Sequence, residues 1–106
     1  MTTMHHYLYL LHPTRPDMLR SGLSDHEAEC ISQHTCYLDD LCLAGKVTLF
    51  GRTTTDDERV FSMVLVNTGI EDEARRIMQA DPVITGGIMR GELFPFRISG
   101  MRGMKV

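Results

Sequence analysis

At 106 residues, 42% apolar and 24% charged, the chain has the size and composition of one soluble globular domain built on one core. A formal net charge of −3, with Lys and Arg scattered along the chain, argues against nucleic acid as a partner. No apolar stretch approaches the ~18 residues of a membrane span, and the N-terminus lacks the basic region and cleavage site of a signal peptide. The expected location is therefore the cytoplasm.

The first strand is expected at Tyr7–His12, where YLYLLH precedes the breaker PTRP. Residues 13–23, PTRPDMLRSGL, carry two prolines and a glycine and read as a loop. Ser24 to Glu27, SDHE, is a capping box that opens a helix. Ala28, Ile31, His34, Leu38 and Leu41 then recur at helical spacing, and Gly45 closes the helix. KVTLF at 46–50 and VFSMVLV at 60–66 are the second and third strands. The unbroken apolar run of the third suits a central position, and RTTTDDER at 52–59 is an exposed connection. A second helix follows in NTGIEDEARRIMQA, with Thr68 and Glu71 as its expected capping box and Ile70, Ala74, Ile77 and Met78 as its apolar stripe. The fourth strand is IMRGELFPFRI, in which Pro95 marks a sheet edge or a bulge.

The order β-α-β-β-α-β predicts an α+β, ferredoxin-like fold, with a four-stranded antiparallel sheet carrying two helices on one face. The other face is then bare and apolar, so a homodimer joined through the sheets is expected.

Two residues stand out chemically. His34 lies three residues after Ile31 and four before Leu38, on the sheet-facing side of its helix, as hydrogen-bonded core or as the floor of a pocket. Asp81 precedes Pro82, which restricts its backbone and so fixes its carboxylate, either as a helix stop or as half of a chemical site. Tyr37, three after His34, lines the same wall or packs beside it. Cys30, Cys36 and Cys42 are spaced by six residues, roughly 240° of helix, and so diverge. They are expected as small buried hydrophobes in place of a metal site. HEAEC at 26–30 falls one residue short of the zinc motif, and neither a dinucleotide nor a P-loop glycine pattern occurs, so no metal or cofactor is expected.

HTCYLDDLCLAGKVTLFG, from His34 to Gly51, and ADPVITGGIMRGELFPFRI, from Ala80 to Ile98, resemble the YciI-like (YCII-related) family over roughly residues 7–98 of this one domain. The resemblance implies a dimeric ferredoxin-like α+β barrel. It also implies a cleft whose active site uses a His and an Asp, matched here by His34 and Asp81. The 13–23 segment is longer than in the shortest members, and its Arg15 and Arg20 are candidates to meet an anionic substrate. The leading functional reading is a small-molecule enzyme doing acid–base chemistry of lyase, isomerase or hydrolase type. The alternative is a dimeric module that binds a small ligand without turnover.

Overall fold

The computed structural model describes residues 5–103. Its long elements are β1 (His6–Pro13), α2 (Asp25–Leu43), β2 (Val47–Arg52), β3 (Ser62–Asn67), α3 (Glu71–Gln79) and β4 (Met89–Phe96). Two one-turn helices, α1 (Met18–Ser21) and α4 (Pro82–Thr85), occupy stretches that the sequence pattern leaves as loop. The antiparallel sheet has the order β2-β3-β1-β4, the ferredoxin-like topology. Pro95 sits on the edge strand β4, where its missing N–H breaks no ladder in the sheet interior. The apolar β3 is an inner strand.

Register decides which side chains meet the helices. Phe50, Val64, Tyr9 and Leu93 form one row across the four strands. Val64 and Tyr9 in that row are fully buried. Leu49, Leu65, Leu8 and Phe94 form a row on the opposite face, and there Leu49 and Phe94 are 43% and 41% exposed. A β-bulge between Val47 and Leu49 sets this arrangement. It turns Leu49 outward and brings Phe50 and Arg52 to the helix side.

The capping box at Ser24 forms as expected: Ser24 Oγ accepts from the Glu27 N–H, and the Glu27 side chain accepts from the Ser24 N–H. Glu27 is also held by Arg15, whose Nε and Nη2 donate to its two carboxylate oxygens at 3.0 and 2.6 Å. Arg15 further donates to Ser21 and to the Gly22 carbonyl, so one guanidinium ties α1 to the start of α2. The Arg15 hydrogen bond, then the Ser24 N–H, pull the Glu27 carboxyl from 4.5 down to about 2. A value lowered by folding means that its stabilising contribution is complete above pH 4.5 and is lost as pH falls toward about 2. Glu27→Gln is thus expected to lower stability at pH 7 and to flatten the loss between those limits. Urea unfolding of both proteins across that range checks it, and parallel curves would contradict it.

Other expected caps and contacts are revised. Ile70, not Thr68, is the N-cap of α3, and Thr68 Oγ1 instead accepts from the Ile70 N–H. Ala28 is exposed, and the buried side of α2 runs through Glu27, Cys30 and Leu38. Of the three cysteines only Cys30 is buried, while Cys36 is exposed and Cys42 half-buried. Gly86 packs so closely on Cys30 that a side chain there would collide with its sulfur. That contact seats α4 against α2.

Candidate active site

Asp81 does not merely end a helix. The preceding helix already stops at Gln79, with Ala80 as its C-cap. Asp81 is the N-cap of α4: its backbone is extended, Pro82 occupies the first helical position, and its Oδ1 accepts from the Val83 N–H at 3.2 Å. The carboxylate therefore stands at the end of a helical turn where negative charge is favoured.

That carboxylate is completely buried. Its Oδ2 accepts from the Tyr9 hydroxyl at 2.8 Å. Its Oδ1 also accepts from His34, with Nδ1 at 2.7 Å. The Tyr9 hydroxyl and the Val83 N–H both donate to it, and a carboxylate has acceptor capacity for a third hydrogen from His34 Nδ1. Burial first, and then the charge of Asp81, push the Tyr9 phenol far above its ordinary value and keep it a donor. Burial and Asp81 raise Tyr37 too.

His34 projects from the middle of α2, its side chain 13% exposed. The edge of one ring faces the other where it meets Phe50, with centroids 6.4 Å apart and planes at 83°. With Nδ1–H committed to Asp81, Nε2 is the nitrogen left for chemistry. It has no hydrogen-bond partner among the described residues, and His34 lines a cavity of about 280 Å³. The cavity lies between α1, α2 and the sheet, walled by Met18, Leu23, Ile31, Phe50, Phe61 and Met89 among others. An imidazole anchored in this way can take a proton at Nε2 in general acid–base chemistry, with a carboxylate behind it to stabilise the resulting cation.

His34 and Asp81 thus meet although 47 residues separate them. The other expected contacts fall elsewhere. The Tyr37 hydroxyl donates to the Ile77 carbonyl at 2.8 Å, bracing α2 against the end of α3, and Tyr37 does not line the cavity. Arg15 is held by Glu27, and Arg20 pairs at the surface with Glu58 at 3.2 Å. Neither lines the cavity, although their segment does, through Pro13, Met18, Leu19 and Leu23. In the HEAEC stretch, the His26 ring bonds the Gly86 carbonyl at 2.8 Å. Among the described residues no three His, Cys, Asp or Glu side chains come together as a metal-binding group, and no helix is long and apolar enough to cross a membrane.

Sequence reasoning passed over Tyr9 and Arg52. A signal for Tyr9 existed: alternation puts it on the same strand face as Leu11, and a buried phenol needs a polar partner. Arg52 lines the cavity from the end of β2, and only the bulge puts it there.

The sheet order and helix placement define a ferredoxin-like α+β fold, here with a His–Asp contact beside a cavity. The profile of the YCII-related domain matches residues 6–97, and the chain belongs to that family. Comparison with curated protein sequences gives no significant match. Among solved structures, the chain is similar to 5-chloro-2-hydroxyhydroquinone dehydrochlorinase (TftG) from Burkholderia phenoliruptrix AC1100, in complex with 2,5-dihydroxybenzoquinone. The TM-score is 0.61 at 18% identity, over 86% of this chain and 93% of that one, a likeness of fold.

Proposed function

We propose that the protein is a small-molecule enzyme in which His34 and Asp81 transfer a proton on a ligand held in the cavity. The observation that carries this reading is the fully buried Asp81 carboxylate 2.7 Å from His34 Nδ1, on a ring that also lines the cavity. Asp81 fixes the tautomer and the angle of the ring, and Nε2 is the base. The similar fold of a dehydrochlorinase supports looking first at eliminations and isomerisations of hydroxylated rings, because both couple proton removal to rearrangement of a π-system. A cavity of roughly 150 Å³ accepts benzene, so about 280 Å³ suits one substituted ring.

The test is a panel of hydroxylated and halogenated six-membered-ring compounds, followed by ultraviolet absorbance and halide release with wild type and His34→Gln. Turnover confined to wild type supports the enzyme. Binding of ring compounds without turnover across the panel would make the protein a ligand-binding module instead.

We also propose that it works as a homodimer joined through the outer sheet face. Leu8, Leu49, Leu65 and Phe94 make an apolar row there, flanked by Phe96, which is 41% exposed. Phe94→Asp is expected to convert a dimer to a monomer in sedimentation velocity at micromolar concentration. A monomeric wild type would refute the dimer.

A further inference from the structure

The side chains around the cavity are mostly apolar; the polar ones are His34, Thr35, Ser62 and Arg52. Arg52 is the one lining residue with a permanent charge, and no acid lines the cavity to balance it. Its position follows from the sheet. Downstream of the bulge, Arg52 is two residues after Phe50, in register with Ser62, which in turn pairs with Leu11. Phe50, Ser62 and Leu11 all line the cavity, so the row that ends in Arg52 is part of its wall.

Arg15, Arg20 and Arg59 are already engaged, with Glu27, Glu58 and Asp57. The Arg52 side chain has no ion-pair or hydrogen-bond partner among the described residues. A guanidinium offers a planar pair of N–H donors that matches a carboxylate. Arg52 itself is exposed, so solvent screens such a pairing in part. Asp81 does not line the cavity, and its three donors shield it, so it competes little with an incoming anion.

We propose that Arg52 is the specificity-determining residue of this cavity and that the substrate is a single-ring compound bearing a carboxylate. This rests on the proposed function, since it assigns a substrate class to the same site. The apolar walls and Phe50 hold the ring, Arg52 holds the carboxylate, and the reacting carbon or hydroxyl is presented to His34 Nε2.

The probes are benzoate and benzamide, which match in shape and differ in charge. Each is titrated into wild type, Arg52→Gln and Arg52→Lys, with the His34 ring resonances as the NMR readout. Wild type is expected to bind benzoate at least about tenfold more tightly than benzamide, the size of one charge-assisted hydrogen bond. Arg52→Gln should bring the two within about threefold, and Arg52→Lys should keep part of the difference. Equal binding of both probes, with His34 resonances shifted, would overturn the role of Arg52 and leave the proposed function standing. A benzoate preference that survives in Arg52→Gln would overturn the role as well. If neither probe moves the His34 resonances, the carboxylated-ring assignment falls, while the panel of hydroxylated and halogenated rings still decides the proposed function.

Discussion

Asp81→Ala is expected to lower the unfolding free energy by about 3–5 kcal/mol, the cost typical of breaking a buried charged network from one side. The side chain is completely buried and accepts hydrogen bonds from Tyr9, His34 and the Val83 N–H. Alanine leaves all three donors facing a void. Tyr9 is itself fully buried, so its hydroxyl loses its partner. The N-cap of α4 is lost as well, worth about 1 kcal/mol in other helices. Asp81→Asn keeps the volume and one acceptor oxygen but turns an amide N–H₂ toward a donor. Its cost should be smaller, about 1–3 kcal/mol. Urea unfolding midpoints for the two variants test the order. A loss below about 1 kcal/mol for Asp81→Ala would show that the carboxylate does not hold α4 and β1 together. A milder expectation concerns Tyr9→Phe, which strands only one carboxylate oxygen and should fall below Asp81→Ala.

How much of this was legible depended on whether a feature is local. His34 showed itself because Ile31 and Leu38 place it on the inner side of α2. Asp81 showed itself because the proline after it restricts its backbone. Neither pattern contains the other, and the contact arises only when α4 docks on α2. The one-turn helices were invisible for a related reason. Four residues are too few for a 3.6-residue period, and α1 is held chiefly by Arg15 reaching Glu27, twelve positions away. The shift of the α3 cap from Thr68 to Ile70 is the ordinary uncertainty of helix ends, resolved here by Thr68 turning back on the Ile70 N–H.

The bulge in β2 is the most consequential hidden feature. Strict alternation from the buried Val47 would send Leu49 and Gly51 inward and leave Phe50 and Arg52 outside. One extra residue reverses that parity, so the aromatic beside His34 and the cation that lines the cavity both depend on it. Nothing within KVTLFGR announces a bulge, because the residues on either side of it suit both sheet faces. The site is therefore half local chemistry and half register, and only the first half can be read along the chain.

His34→Gln is expected to reduce kcat by about 10²–10⁴-fold on any substrate that the ring-compound panel yields, the range typical of losing a general base. Glutamine keeps a donor that can reach Asp81, so the buried carboxylate retains a partner and the fold should survive. What it lacks is a basic ring nitrogen. The loss should therefore fall on kcat, with KM within about threefold of wild type, because an interaction made only in the transition state lowers kcat and kcat/KM together. Asp81→Asn should lower kcat less: the ring keeps its Nε2 but loses the carboxylate that sets its tautomer and stabilises its cation. The comparison separates two roles for the pair. If His34→Gln folds, binds the ring and does not turn over, Nε2 is the base and Asp81 its positioning partner. If kcat is unchanged, proton transfer uses another group, and the His34–Asp81 contact holds α2 to α4 as structure.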